Sequence, residues 1–202
     1  MNAAPTPSAA AQATPAPAAL PFRLPCPEDD ADACTRGCDE KQVEDCVTLG
    51  TMYMAGVRVT GDKPRALDLY RGACNEGSAR GCMRLADAYH DGLLQDQVEE
   101  ASLYRRACDA GANLGCVAAG RAYLSGRGVG QDPVFAANLF GRVCLRGNAH
   151  ACFELARLYE NGEGVPADKT RAFELFTKAC KLGHDEGCLY ASRTEEVLPP
   201  RN

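Results

Sequence analysis

The sequence predicts an all-α protein, a right-handed α-solenoid of stacked helix pairs, and three recurring features carry that expectation. A cysteine pair eight residues apart keeps returning, as "ACNEGSARGC" (Ala73 to Cys82), "ACDAGANLGC" (Ala107 to Cys116), "VCLRGNAHAC" (Val143 to Cys152) and "ACKLGHDEGC" (Ala179 to Cys188). The second cysteines, Cys46, Cys82, Cys116, Cys152 and Cys188, stand 36, 34, 36 and 36 apart. After each of the first four come a tyrosine and a glycine, then an aspartate that lies seven residues before a leucine and its following aromatic.

Helix A of each repeat is expected from the second cysteine to the glycine. Its inward residues fall at offsets 0, +3, +4 and +7, the spacing of one helical face. In the fourth copy these are Cys152, Leu155, Ala156 and Tyr159. Gly56, Gly92, Gly126 and Gly162 suit a left-handed C-cap. Asp62, Asp96, Asp132 and Asp168 are expected to open helix B as N-caps, with Pro133 at a first helical position. Helix B then ends at Gly77, Gly111, Gly147 or Gly183, after which Ser78, Asn113, Asn148 and Asp185 can cap the next helix A.

Such pairs cannot bury their apolar faces alone, so they must stack. Small residues at offset +4 (Gly50, Ala86, Gly120, Ala156) allow close approach between neighbours. The second repeat departs from the pattern, because "HDGLLQDQ" is short and lacks the G-x-G-V of the others, which implies a tighter A–B loop. The expected organisation is a tether over 1–25, an N-terminal capping segment over 26–45, and repeats over about 46–81, 82–115, 116–151 and 152–187. A C-terminal capping helix and tail follow over 188–202. Within the N-terminal cap, residues 28–40 read as an incomplete helix B.

Bulk composition narrows the function classes. The chain has 202 residues, of which 46% are hydrophobic and 24% charged, a globular balance. A net charge of -5 argues against nucleic acid as a partner, since phosphate binding needs a basic surface. No apolar run reaches the length of a membrane span. "MNAAPTPSAAAQATPAPAAL" is Ala/Pro-rich and uncharged, which predicts a semi-extended tether and lacks the basic start of a secretion signal.

The segments "YLSGRGVGQD" and "YENGEGVPADKTRAFELFTKACKLG" resemble Sel-one-like (Sel1-like) repeats, relatives of the tetratricopeptide repeat with a longer A–B loop. With the added cysteine pair the resemblance is to the Helicobacter cysteine-rich proteins, often described as β-lactamase-like. It covers about residues 38–192. The family implies a tetratricopeptide-like superhelix and, as one alternative for function, a hydrolase or binder of β-lactam or cell-wall-like ligands.

The twelve cysteines divide into six pairs at spacing eight: Cys26/Cys34, Cys38/Cys46, Cys74/Cys82, Cys108/Cys116, Cys144/Cys152 and Cys180/Cys188. Across a short helical hairpin two inward cysteines come within disulfide range. Zinc is the rival, but structural zinc favours C-x2-4-C pairs, and only Cys34 and Cys38 are that close. His90, His150 and His184 show no ligand spacing, so no metal or other cofactor is expected. Free core thiols are the remaining reading. Complete pairing favours disulfides, and with them an oxidising compartment, either the periplasm or outside the cell, or else an organelle space entered without a cleaved signal.

No catalytic residue is assigned. There is no S-x-x-K, S-D-N or K-T-G, the motifs of a serine β-lactamase, and "SGRGVG" is the repeat loop rather than a phosphate loop. The candidate binding surface is the outward strip of helix A at offsets +2, +5 and +9. Offset +5 reads Thr51, Asp87, Arg121, Arg157, Arg193, an arginine ladder over the last three repeats. Arg84, Glu154 and Tyr190 lie around it. The expected function is a non-catalytic, monomeric scaffold binding a protein or peptide in its concave groove. An arginine row suits acidic groups or a free carboxylate. A solvated face with local pairs Arg84/Asp87 and Glu154/Arg157 is the competing reading of the same residues.

Overall fold

The computed structural model describes residues 25–195, so nearly all of the expected tether and the end of the C-terminal tail lie outside the described residues. Within them run ten helices and no strand: α1 Ala31–Asp39, α2 Val43–Ala55, α3 Lys63–Asn75, α4 Ala79–His90, α5 Gln97–Asp109, α6 Asn113–Ser125, α7 Pro133–Leu145, α8 Ala149–Asn161, α9 Lys169–Lys181 and α10 Asp185–Glu195. Each packs on the next, which makes the right-handed solenoid of helix pairs that the periodicity demands. Helices A are α2, α4, α6, α8 and α10; helices B are α1, α3, α5, α7 and α9.

The aspartate caps form as expected. Asp62, Asp132 and Asp168 each accept from the backbone N–H three residues on, and Asp96 accepts from Val98 and Glu99. Three details of helix A differ from the sequence reading. Every helix A starts three residues before its cysteine, which moves the cap slot to Ser78, Ala112, Asn148 and His184. Ser78 and Asn148 fill that slot and cap Gly81 and Ala151. Asn113 and Asp185 stand one residue inside it, so neither is the cap; Ala112 has no side-chain acceptor, and the Asn113 Oδ1 is buried without a partner. In the shortened second repeat α4 ends on Asp91 in the right-handed region rather than on Gly92. Gly56, Gly126 and Gly162 close the other three as left-handed C-caps.

Small residues set the packing distance. A Cβ added to Gly120 would stand 2.6 Å from the Phe140 ring, and one on Gly50 would stand 2.8 Å from Tyr70. The glycine before Cys82 and Cys116 is equally constrained: a Cβ on Gly81 or Gly115 would lie 2.8 Å from the Cβ of Ala73 or Ala107. That contact draws helix B against the next helix A and brings their cysteines together. All six expected disulfides form, with Cα–Cα separations of 4.4–4.6 Å for the five between helices and 5.1 Å for Cys26–Cys34.

At the N-terminal cap the size relation is reversed. Gly37 takes the slot of Ala73, and Asp45 takes the slot of Gly81. Asp45 is buried against Gly37 and accepts from the Cys26 N–H at 2.7 Å, pinning the incoming segment that the Cys26–Cys34 bridge also holds.

Candidate functional site

The helix A strip is an open face, and the ladder stands on it. The side chains of Arg121, Arg157 and Arg193 are 58%, 51% and 60% exposed. They are braced by carboxylates of the fold. Arg121 donates Nε and Nη2 to Glu154 Oε1, at 2.7 and 2.6 Å, across the boundary between repeats. Arg157 approaches the other oxygen of Glu154 at 3.8 Å. Arg193 donates to Glu160 at 3.1 Å and lies over the Tyr190 ring.

The strip is therefore not uniformly outward. Glu154 is only 7% exposed: it is the buried anchor beneath two arginines and not a surface residue of the groove. Tyr190 packs its ring edge-on against Phe153, so its face belongs partly to the core. Arg84 is exposed, and Asp87 is half-buried beside it. Burial pushes the Asp87 carboxyl above its ordinary pKa; Arg84 and His90 oppose this, and Asp91 adds to it.

The strip opens into a cleft of about 310 Å³ between α5 and α6. Its walls include Ala101 and Tyr104 from α5, Ala118, Arg121 and Ala122 from α6, and Arg127 from the loop beyond. At its base lies Glu100, 5% exposed. Glu100 Oε2 accepts from Arg127 Nη2 at 2.8 Å, and Oε1 pairs with His90 Nδ1 at 3.1 Å. The Tyr104 hydroxyl is pushed up to about 12, first by burial and then by Asp87 and Glu100, with Arg127 opposing. At neutral pH it keeps its proton and can donate a hydrogen bond.

The sequence reading placed Arg121 here but missed Glu100, His90, Tyr104 and Arg127. The signal was available. Four residues after each helix B aspartate the repeats read Ala66, Glu100, Ala136 and Ala172, and all three alanines are fully buried. A carboxylate in a slot built for a methyl group requires partners, because an unpaired buried charge is prohibitively costly.

The comparisons agree with this architecture. The Sel1 repeat family profile matches residues 46–78, 79–111, 112–148 and 149–184, most of the chain. A search of the curated proteins found no match. Among solved structures, a protective antigen of uropathogenic Escherichia coli displaying an SLR fold is 26% identical with a TM-score of 0.77, over 82% of this chain and 36% of its own. A Sel1 repeat protein from Oxalobacter formigenes is 25% identical with a TM-score of 0.71, over 77% and 65%. The Helicobacter pylori cysteine-rich protein B is 26% identical with a TM-score of 0.51, over 63% and 93%. The chain thus spans less than two thirds of the length of the first two.

Proposed function

The chain belongs to the Sel1 repeat family, and we propose that it works as a non-catalytic, monomeric scaffold whose helix A groove binds an extended protein segment bearing acidic groups or a free carboxylate. A disulfide-stabilised Sel1 solenoid is a protein-interaction fold, and six disulfides belong to an oxidising compartment. The finer assignment is the periplasm or the outside of the cell.

The observation that carries the reading is the braced arginine row. Arg121, Arg157 and Arg193 occupy one register on successive helices A, more than half exposed; Arg121 and Arg193 are hydrogen-bonded to a glutamate of the fold, and Arg157 stands 3.8 Å from one. A guanidinium carries five N–H donors, so a bond or two to its brace leaves others for a ligand. Bracing also lowers the entropy lost when the ligand is bound.

The test is capture of partners from the protein's own compartment by the wild type and by an R121Q/R157Q/R193Q variant, once both are shown to melt alike. Loss of the partner in the variant, and weakening of wild-type binding as salt rises, is the expected result. An unchanged partner set would reduce the ladder to a solvated face. Nitrocefin turnover that survives purification to homogeneity without metal would overturn the non-catalytic reading.

A further inference from the structure

The cleft between α5 and α6 is built from departures from the repeat, all at one place. Glu100 replaces the buried alanine of the other three copies. Arg127, eleven residues after its cysteine, stands where the other copies have Val57, Leu93 and Glu163. Ala118, two residues after the same cysteine, stands where neighbouring helices A carry Arg84, Glu154 and Tyr190. The first two changes hold a guanidinium at the rim, and the third removes the side chain that would otherwise fill the space.

Tyr104 supplies an independent observation. Its ring is largely buried and lines the cleft, while its hydroxyl is reached by solvent and makes no hydrogen bond among the described residues. Tyr70, in the same slot one repeat earlier, donates to Thr51 at 3.2 Å. Arg121 and Arg127, the two guanidiniums of the cleft, are each braced by one glutamate, and each carries more N–H donors than that brace uses.

We propose that this cleft is a discrete binding site for the side-chain carboxylate of an aspartate or glutamate within an extended partner, held by the Arg121 and Arg127 guanidiniums and the Tyr104 hydroxyl. It rests on the groove reading and gives that reading a register. The site lies midway along the solenoid, with strip residues on both sides, so a segment lying in the groove continues past it in both directions. That geometry favours a side chain over a chain end. Asp87 and Asp91 on α4 also act on the Tyr104 hydroxyl, so they repel an acid from that side and direct it towards Arg121 and Arg127.

The test is an NMR titration of the oxidised full chain with three pentapeptides. One is acetyl-Ala-Ala-Glu-Ala-Ala-amide, one has glutamine in place of the glutamate, and one is the glutamine peptide with a free C-terminal carboxylate. The glutamate peptide should move the amides of Ala118, Arg121, Ala122 and Arg127 and bind at least about tenfold tighter than its glutamine counterpart, the size of one charge-assisted contact. R127Q should erase that difference. So should A118E, which puts a carboxylate of the chain into the cleft at a slot where α8 already carries Glu154. Equal binding of the two blocked peptides, or a difference that survives both substitutions, overturns the proposal. Tighter binding of the free-ended glutamine peptide overturns the side-chain assignment. Shifts confined to α8 and α10 would sink the cleft while leaving the groove reading standing, and that reading is judged separately by partner capture.

Discussion

Arg127 reaches back across a repeat boundary to Glu100, donating Nη2 to its Oε2 at 2.8 Å, and Glu100 occupies a slot that the other repeats fill with alanine. The two ends of this contact are unequal, since Glu100 is buried and the Arg127 side chain is 45% exposed. Removing them should therefore cost different amounts. E100A restores the residue of the sibling repeats and returns Arg127 and His90 to solvent, so stability should stay within about 1 kcal/mol of wild type. R127A leaves a buried carboxylate short of a partner and should cost about 1–3 kcal/mol. Chemical denaturation of both variants checks the order; a larger loss in E100A would contradict it.

Ala112 sits at the N-cap of α6 with no acceptor to offer, while Ser78 and Asn148 cap the equivalent helices. A112N should add about 1 kcal/mol of stability. The same asparagine one residue on, Asn113, cannot do this, because its Oδ1 lies buried without a partner.

Gly120 approaches Phe140 so closely that a methyl group must displace the ring. G120A gains about 1 kcal/mol of helix propensity but should lose about 1–3 kcal/mol to overpacking, a net destabilisation. Adding F140L should restore much of the loss, and a double-mutant cycle on thermal or denaturant unfolding measures the coupling.

His184 caps α10 by accepting the Gly187 N–H on Nδ1 at 3.1 Å, which requires that nitrogen unprotonated. Burial, with His150 assisting, holds its pKa below the ordinary histidine value, against the pull of Glu186, Glu154 and Asp185. The unfolded chain then binds the proton more readily than the folded one. The stabilisation is complete above the unfolded histidine value of about 6.5 and is lost as pH falls through the lower folded value. The protection factor of the Gly187 amide, its exchange rate relative to an unstructured amide at the same pH, should fall on acidification, and H184N, a cap without a titrating group, should remove that dependence.

These cases mark what was legible in the chain. Residues that repeat in register were readable, because a fixed offset from a cysteine or an aspartate says which face a side chain serves: the Asp62, Asp96, Asp132 and Asp168 caps, the small residues at Gly50 and Gly120, and the six cysteine pairs. Contacts across a repeat boundary were not. Arg121–Glu154 and Arg127–Glu100 join residues 33 and 27 apart, and sequence offers no spacing rule for them. Glu154 was read as a surface residue because helical periodicity places it near the edge of the strip, where only the neighbouring helix decides whether it is covered. Asn113 falls one residue inside α6, because only Ala112 separates the turn at Gly111 from the first helical residue.

The staples themselves predict a simple chemical result. Non-reducing peptide mapping of native protein should recover six bridges, each joining cysteines eight apart, with no free thiol among the twelve. Each bridge closes a short loop and nominally adds about 2–3 kcal/mol, so reduction should lower the melting temperature steeply. Twelve free thiols in protein from its home compartment would end the reading of an oxidising environment.

The central claim is that the helix A strip is the binding face, and the most direct measurement is a hydrogen-exchange footprint of a captured partner on the oxidised protein. Slowed amide exchange is expected along α4, α6, α8 and α10, strongest around Ala118 to Arg127, with α3, α7 and α9 unchanged. Protection concentrated on those helices B, with the strip unaffected, would contradict it.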